Sequence, residues 1–322
     1  VARPFRVATY NLESLDDAPG HGPPFEARAA ALRPILAALD ADVLCLQEVH
    51  GQKEQKHGPR SLRALDRLLE GTAYAHFERV STTRADGGPS DRHNLVIASR
   101  HPIRAHRQLK HDLVPPVRHH VVTAEPAAEG SFAVEWDRPI LHAEIDVFGA
   151  PVHLLDLHLR APLASAIAGQ KQGPETWRTI RGWAEGFFLA AIKRTGQALE
   201  ARLLVDALFD DDPRARIIVA GDLNADEHET PVRVLRGDPG DTGNASLGPR
   251  VLVPLERAVD PEARFSIVHA GARHCLDHVL VSPVLVACAR GVEIVNEGLP
   301  DEAGGVATAA SFHAPIVATF EL

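Results

Sequence analysis

Six short segments of this chain carry side chains that a hydrophobic core does not choose. Asn11 lies in "RVATYNLES", Gln47 and Glu48 in "VLCLQEV", and Asp156 and His158 in "HLLDLHLRAP". Asp222 and Asn224 follow in "IIVAGDLNA", Asp277 and His278 in "HCLDHVLVS", and Ser311 and His313 in "ASFHAPIVA". One Asp or Asn at a strand end is ordinary turn chemistry. The recurrence asks for a common cause, because a charge buried alone is costly and becomes tolerable in a pair or around a metal. The set suits hydrolysis of a phosphate ester. Carboxylates and amides are oxygen ligands for a hard divalent cation, which neutralises phosphate and leaving oxygen. A carboxylate orients or deprotonates the attacking water, and imidazoles held by carboxylates donate to non-bridging oxygens. A Gly-rich phosphate cradle and a "GxSxG" elbow are both missing from the sequence, which argues against nucleotide-driven transfer and an α/β-hydrolase site.

The elements that must position these residues are mostly strands. Short runs rich in Val, Ile and Leu recur from "FRVATYNL" to "APIVATFEL", bounded by Gly, Pro, Asp or Asn. Several lack strict alternation, which predicts burial on both faces. Asp222 and Asn224 in "IIVAGDLNA" alternate correctly for one face of a strand, so both side chains can meet the same phosphate. Three helices are predicted. "PFEARAAALRPILAALDA" spaces Phe25, Ala29, Leu32, Leu36 and Leu39 at helical intervals, with Pro34 as a candidate bend. "RSLRALDRLLEG" stops at Gly71, and the long stretch over 175–209 is predicted to break near Gly196. Loops are predicted over 81–93, 111–131 and 237–250, the places where a rigid scaffold sets specificity. The architecture expected is a single domain over 1–322, with helices outside stacked β-sheets.

Composition bounds the partners. The 322 residues are 45% apolar and 24% charged, with a formal charge of −9. That balance argues against affinity built on wrapping many phosphates, although one divalent cation reverses the sign locally. No apolar run is long enough to span a bilayer, and no protein partner is indicated. Cys45, Cys275 and Cys288 form neither a disulfide framework nor a zinc pattern, and read as small buried apolar residues. Their usage points to a reducing cytoplasm, with a secreted origin open should an export leader precede Val1.

The ordered pieces "TYNLES", "LCLQEV", "NLVIASRHPI", "LLDLHL", "VAGDLNA", "LDHVLVS" and "SFHAPIV" span residues 9 to 317. In this order they resemble the endonuclease/exonuclease/phosphatase superfamily, the DNase I-like proteins. The resemblance implies an α/β (α+β) four-layer sandwich: two packed mixed β-sheets flanked by helices, with the site at one end. It implies magnesium or manganese held by Glu48 with Asn11 nearby, and His158 at the phosphate or leaving group. Asp222 would position or deprotonate water, Asn224 would hold that water or a phosphate oxygen, and Asp277 would orient His313 onto the phosphate. The activity implied is a divalent-metal-dependent phosphodiesterase using in-line attack by water, with a nuclease first. A phospholipid, an inositol phosphate or another small ester is the alternative substrate, and a binding protein without turnover the alternative of another class.

One position departs from the pattern. Much of the family has aspartate before the last histidine, usually a metal ligand, and here Phe312 stands there. A phenyl ring cannot bind a hard cation. Either Glu48, Asn11 and water hold the ion, or another carboxylate substitutes, or affinity falls. The ring is a candidate wall for the substrate or a core residue. Other residues stay open at this stage. Arg138 reads as a phosphate-facing guanidinium or a surface ion pair, and Asn94 as a cleft or turn residue. Asp156 orients His158 or is a satisfied structural acid. His119 and His120 touch substrate or sit in a solvated loop. His278, one residue out of phase with Asp277, reads as structural.

Overall fold

The computed structural model describes residues 3–18, 22–55, 58–304 and 307–322. Two six-stranded sheets form its centre. In chain order the strands are β1 (Pro4–Leu15), β2 (Val43–Val49), β3 (Glu78–Ser81), β4 (Asn94–Ser99), β5 (Ile103–Leu109) and β6 (Ile140–Val147). They continue with β7 (Ala150–His158), β8 (Ile217–Asp222), β9 (Val253–Pro254), β10 (Asp277–Val281), β11 (Ala289–Ile294) and β12 (Ile316–Glu321). The first sheet runs β11-β12-β1-β2-β4-β3 and the second β9-β10-β8-β7-β6-β5. In each, the central pair is parallel, β1 with β2 and β7 with β8. The flanking pairs are antiparallel.

This topology gathers the predicted chemistry at one edge. The C-terminal ends of a central parallel pair lie beside the first residues of their antiparallel neighbours. Val49 of β2 thus pairs with Asn94, which opens β4, and Asp222 pairs with Asp277, which opens β10.

Alternation assigns each strand's two faces. In β1, Phe5 and Val7 face the second sheet, whereas Ala8, Tyr10 and Leu12 face α1 (Phe25–Leu39) and α2 (Arg63–Leu69). In the second sheet, Val152, Leu154, Ile218, Ala220, Val279 and Val281 meet the first sheet. Leu155, Leu157, Ile217 and Val219 instead pack on α3 (Ile180–Asp211) and α4 (Thr230–Arg236). The result is the four-layer mixed α/β sandwich, helices on both outer faces, that the DNase I-like resemblance implies. Cys45 lies buried in the layer between the sheets. Among the described residues, no helix is long and apolar enough to cross a membrane.

Two local expectations change. Helix α3 does not break at Gly196. A Cβ there would come within 2.7 Å of the Trp136 ring, so the glycine allows the helix to approach the indole closely. The segments read as loops carry short elements: Val117–His119 pairs with Phe132–Val134, and 237–250 holds short helical turns capped by the side chains of Asp238 and Asn244.

Gly221 couples the central strands most tightly. It sits in β8 at φ 140°, and a Cβ would fall 1.9 Å from the Leu157 carbonyl oxygen of β7. Gly221→Ala must therefore push β8 away from β7, separating His158 from Asp222. We expect it to lower unfolding stability by at least about 2 kcal/mol, seen as a reduced denaturant midpoint with an unchanged slope.

Candidate active site

The layer between the sheets turns from apolar to polar as it nears the mouth. First comes a buried row: Gln47 Nε2 donates to Asp156 Oδ1 at 2.7 Å and to Thr9 Oγ1 at 3.1 Å. Burial pushes the Asp156 carboxyl well above the usual carboxylate range, and its Oδ2 has no partner. Asp156 touches Gln47 and no histidine, so it belongs to the floor of the site.

Above this floor Asp222 is the hub. Asn11 Nδ2, from the other sheet, donates to its Oδ2 at 3.0 Å, and Asn224 Nδ2 donates to the same oxygen at 3.1 Å. The Asn224 backbone N–H donates to Oδ1 at 2.8 Å. His158 Nε2 stands 3.4 Å from Oδ2, and His313 Nε2 3.9 Å. His313 Nδ1 is bonded to Asp277 Oδ2 at 2.8 Å, which fixes the ring and aims Nε2 at the hub. Asp277 is itself positioned by Ser266 Oγ, which accepts the backbone N–H groups of Leu276 and Asp277.

Asn224 reaches Asp222 by a different route from strand alternation. Strand β8 ends at Asp222, and Asn224 adopts a left-handed φ of 48° that folds its amide back. Asparagine tolerates that region better than most residues. Glu48 uses a similar device. By alternation it would follow Leu44 and Leu46 toward the helices; instead a φ of 60° and a register shift after Leu46 swing its carboxylate to the mouth. There Ser14 N donates to Oε2 at 2.9 Å, and His158 Nε2 lies 3.7 Å from Oε1.

Electrostatics divides the labour among the three ionisable centres. Burial, joined by the charge of Asp277, pushes Asp222 up to about 7, against the lowering pull of His313 and the amide donors. Burial acts the same way on Glu48 but is outweighed by His93, His313 and Arg138, which hold it below its ordinary value. For His313, burial opposes the charge, yet Asp277 and Asp222 lift it to about 10. At neutral pH this leaves an ionised Glu48, a poised Asp222 and an imidazolium at 313.

The structure thus brings Asn11, Glu48, His158, Asp222, Asn224, Asp277 and His313 together. Asn11, however, turns its NH2 toward Glu48 Oε1 at 3.5 Å, while its Oδ1 accepts from Glu13 N at 2.8 Å. In this arrangement it is a donor to carboxylates and offers no oxygen to a cation. Asn94 is a turn clamp: its amide bonds Ser90 and the Val49 carbonyl, and none of it is left for a cleft. Arg138 is half-buried, forms no ion pair among the described residues, and acts electrostatically on Glu48 and Asp222. Phe312 lines a cavity of about 460 Å³ with Glu13, Ser14, His50 and Arg92, and its backbone N–H donates to Glu13 Oε2 at 2.6 Å. His278 is structural, buried against Glu256 and the Ala225 carbonyl. His119 and His120 bond Glu185 and the Gly130 carbonyl instead of any site residue.

Sequence reading missed His93. Its Nδ1 lies 3.6 Å from Glu48 Oε2. Only its place before the strand "NLVIAS" hinted at it, because the backbone φ of 56° that turns it inward leaves no trace in composition. The described residues hold two clusters here that suit a divalent cation, Glu48–His93–His158 and Asp222–Asp277–His313.

The family model described as "Endonuclease/Exonuclease/phosphatase family" matches residues 8–299. No curated protein matches. Among solved structures, a family protein from Bacteroides thetaiotaomicron aligns over 100% of both chains at TM-score 0.60 and 16% identity. Truncated TDP2 from Caenorhabditis elegans aligns over 99% of this chain and 98% of its own, at TM-score 0.58 and 15% identity. The endonuclease/exonuclease/phosphatase from Beutenbergia cavernae aligns over 99% and 72%, at TM-score 0.57 and 20% identity. These likenesses speak for the fold, and the match over residues 8–299 for the family: the chain belongs to the endonuclease/exonuclease/phosphatase family.

Proposed function

We propose that this chain hydrolyses phosphate esters by one in-line attack of water on phosphorus, with a phosphodiester of nucleic acid as the first substrate class. The observation that carries the reading is the convergence on Asp222 of two amides, two imidazoles and a second carboxylate from both sheets. Asp222 takes the proton from the attacking water, and its pKa near 7 suits a general base. Asn11 and Asn224 hold Oδ2, and the Asn224 N–H holds Oδ1, so the carboxylate cannot rotate away. His313, protonated and clamped by Asp277, donates from Nε2 to a non-bridging oxygen as charge builds there. His158 stands between Glu48 and Asp222, placed to contact the phosphate or the leaving oxygen. Arg138 adds an unpaired positive charge on the same side.

Glu48 and its imidazole neighbours fit a divalent cation, which when bound would supply charge neutralisation of phosphate and leaving oxygen. A nucleic-acid substrate is supported by one fold relative, a Neisseria 3′ phosphatase variant bound to a product DNA hairpin, at TM-score 0.52 and 17% identity. A compact phosphate ester is the second reading, favoured by the cavity of about 460 Å³ walled by Phe312 and Arg92 and by the formal charge of −9. Competition between nicked duplex, single strands, phospholipid and small esters separates the two, because nucleic-acid cleavage alone should fall steeply with salt.

Turnover of a chromogenic bis-aryl phosphate with added divalent cation should be lost on chelation. Asp222→Asn should lower kcat by about 10²–10⁴-fold, the usual worth of a general base, with its thermal midpoint unchanged or raised. Equal activity in that variant would remove Asp222 from the chemistry.

The rate should also be bell-shaped in pH. Activity rises as Asp222 ionises around 7, a limb that a bound cation pulls to lower pH, and falls as His313 loses its proton toward 10. Asp277→Asn removes the charge that lifts His313, so the alkaline limb should move to lower pH. A profile with that limb in place would show that His313 does not act as the imidazolium.

A further inference from the structure

Glu48, His93 and His158 bring one carboxylate and two imidazoles together at the mouth. His158 Nε2 lies 3.7 Å from Glu48 Oε1, and His93 Nδ1 lies 3.6 Å from Glu48 Oε2. One donor atom from each lies within 4.8 Å of the others. These separations are too long for hydrogen bonds. They suit donors that share a cation: two atoms each about 2.1 Å from one ion, at a tetrahedral angle, stand about 3.4 Å apart.

Neither imidazole is hydrogen-bonded, although His158 Nε2 also stands 3.4 Å from Asp222 Oδ2. His158 is 2% exposed, and its Nδ1 has no hydrogen-bond partner. The buried Nδ1 of His93 has none either. A φ of 56° holds His93 in place, a conformation that costs free energy at a non-glycine residue. Two oxygen donors that would favour a hard ion are turned away or missing. Asn11 Oδ1 is spent on Glu13 N, and position 312 carries a phenyl ring in place of an acid.

We propose that Glu48, His93 and His158 form a two-imidazole, one-carboxylate centre that selects a first-row transition cation of the zinc class over magnesium. The inference rests on the reading above of Glu48 as the cation's anchor. It makes His158 a ligand instead of a phosphate contact and assigns His93 a role. Imidazole nitrogen suits zinc and its neighbours, whereas magnesium demands octahedral oxygen and keeps its waters.

The test measures binding directly. Chelator-stripped chain is dialysed against Zn²⁺, Co²⁺ or Mg²⁺, and the Co²⁺ form is read by its visible absorption. His93→Asn is the informative variant, since asparagine accepts a left-handed φ and leaves the turn intact, which its thermal midpoint checks. Wild type should bind one Zn²⁺ or Co²⁺ more than tenfold tighter than Mg²⁺. His93→Asn should weaken Co²⁺ and Zn²⁺ by roughly 10–100-fold, on the scale of lost metal-site partners, and change the Co²⁺ spectrum. An unaltered spectrum and affinity in His93→Asn, or Mg²⁺ bound as tightly as Zn²⁺ by wild type, overturns the centre. Hydrolysis assayed in parallel separates the two readings. Turnover with Mg²⁺ and no nitrogen ligation sinks this inference alone. Nitrogen-ligated Co²⁺ without turnover under any cation sinks the hydrolase reading alone.

Discussion

The site depends on one hydrogen bond between the sheets, from Asn11 Nδ2 to Asp222 Oδ2 at 3.0 Å. Asn11 comes from β1 and Asp222 from β8, central strands of opposite sheets. Elsewhere the interlayer is sealed by Val, Leu, Ile and Phe side chains, which hold the sheets together without direction. At the mouth that seal must end, because substrate and water have to reach the carboxylates. A directional bond there sets the separation of the two strand ends that apolar packing leaves loosely defined. The Gln47–Asp156 bond beneath does the same one layer deeper. Such polar contacts are costly if left half-made, so the geometry that satisfies them all is narrowly defined.

That narrow geometry separates two carboxylates chemically. Glu48 and Asp222 share Asn11 as a neighbour, and both are largely withdrawn from water. Burial drives both upward. Around Glu48, imidazoles and the Arg138 guanidinium reverse the trend; around Asp222, a second acid at 277 reinforces it. Pairs of titrating groups driven apart in this way are how one fold supplies both a fixed anion and an available base near neutrality. Asp277 has two effects: it raises Asp222 toward its working range and keeps His313 protonated beside it.

Much of this was legible in the sequence. Apolar runs ending in polar residues marked the strands, and their order from Asn11 to His313 carried the sandwich and its edge. What escaped was conformation that composition does not encode. Glu48, Asn224 and His93 all reach the site through left-handed backbone, at φ 60°, 48° and 56°. Alternation places the first two on the wrong face or on a strand that has already ended. Gly196 misled for the opposite reason: a glycine that suggests a helix break is there to admit the Trp136 ring. Asn94 and Asn11 carry the side chains a site wants, yet local backbone groups claim Asn94 entirely and the oxygen of Asn11.

Phe312 and His93 are best understood together. With phenyl in place of an acid at 312, the His313 side of the mouth lacks that negative charge, and Glu13 accepts the Phe312 backbone N–H through Oε2. A site that kept only Glu48 against a cation would then be short of donors. On the opposite side, His93 and His158 bring two nitrogens within 3.7 Å of Glu48, and neither ring is hydrogen-bonded to another residue there. Loss of an oxygen at one wall and gain of nitrogens at the other leave the charge beside Asp222 less negative than an all-carboxylate centre would. Asp222 therefore sits near 7 with Asp277 as the neighbouring acid that raises it, and the apolar ring of Phe312 lines the cavity beside the mouth.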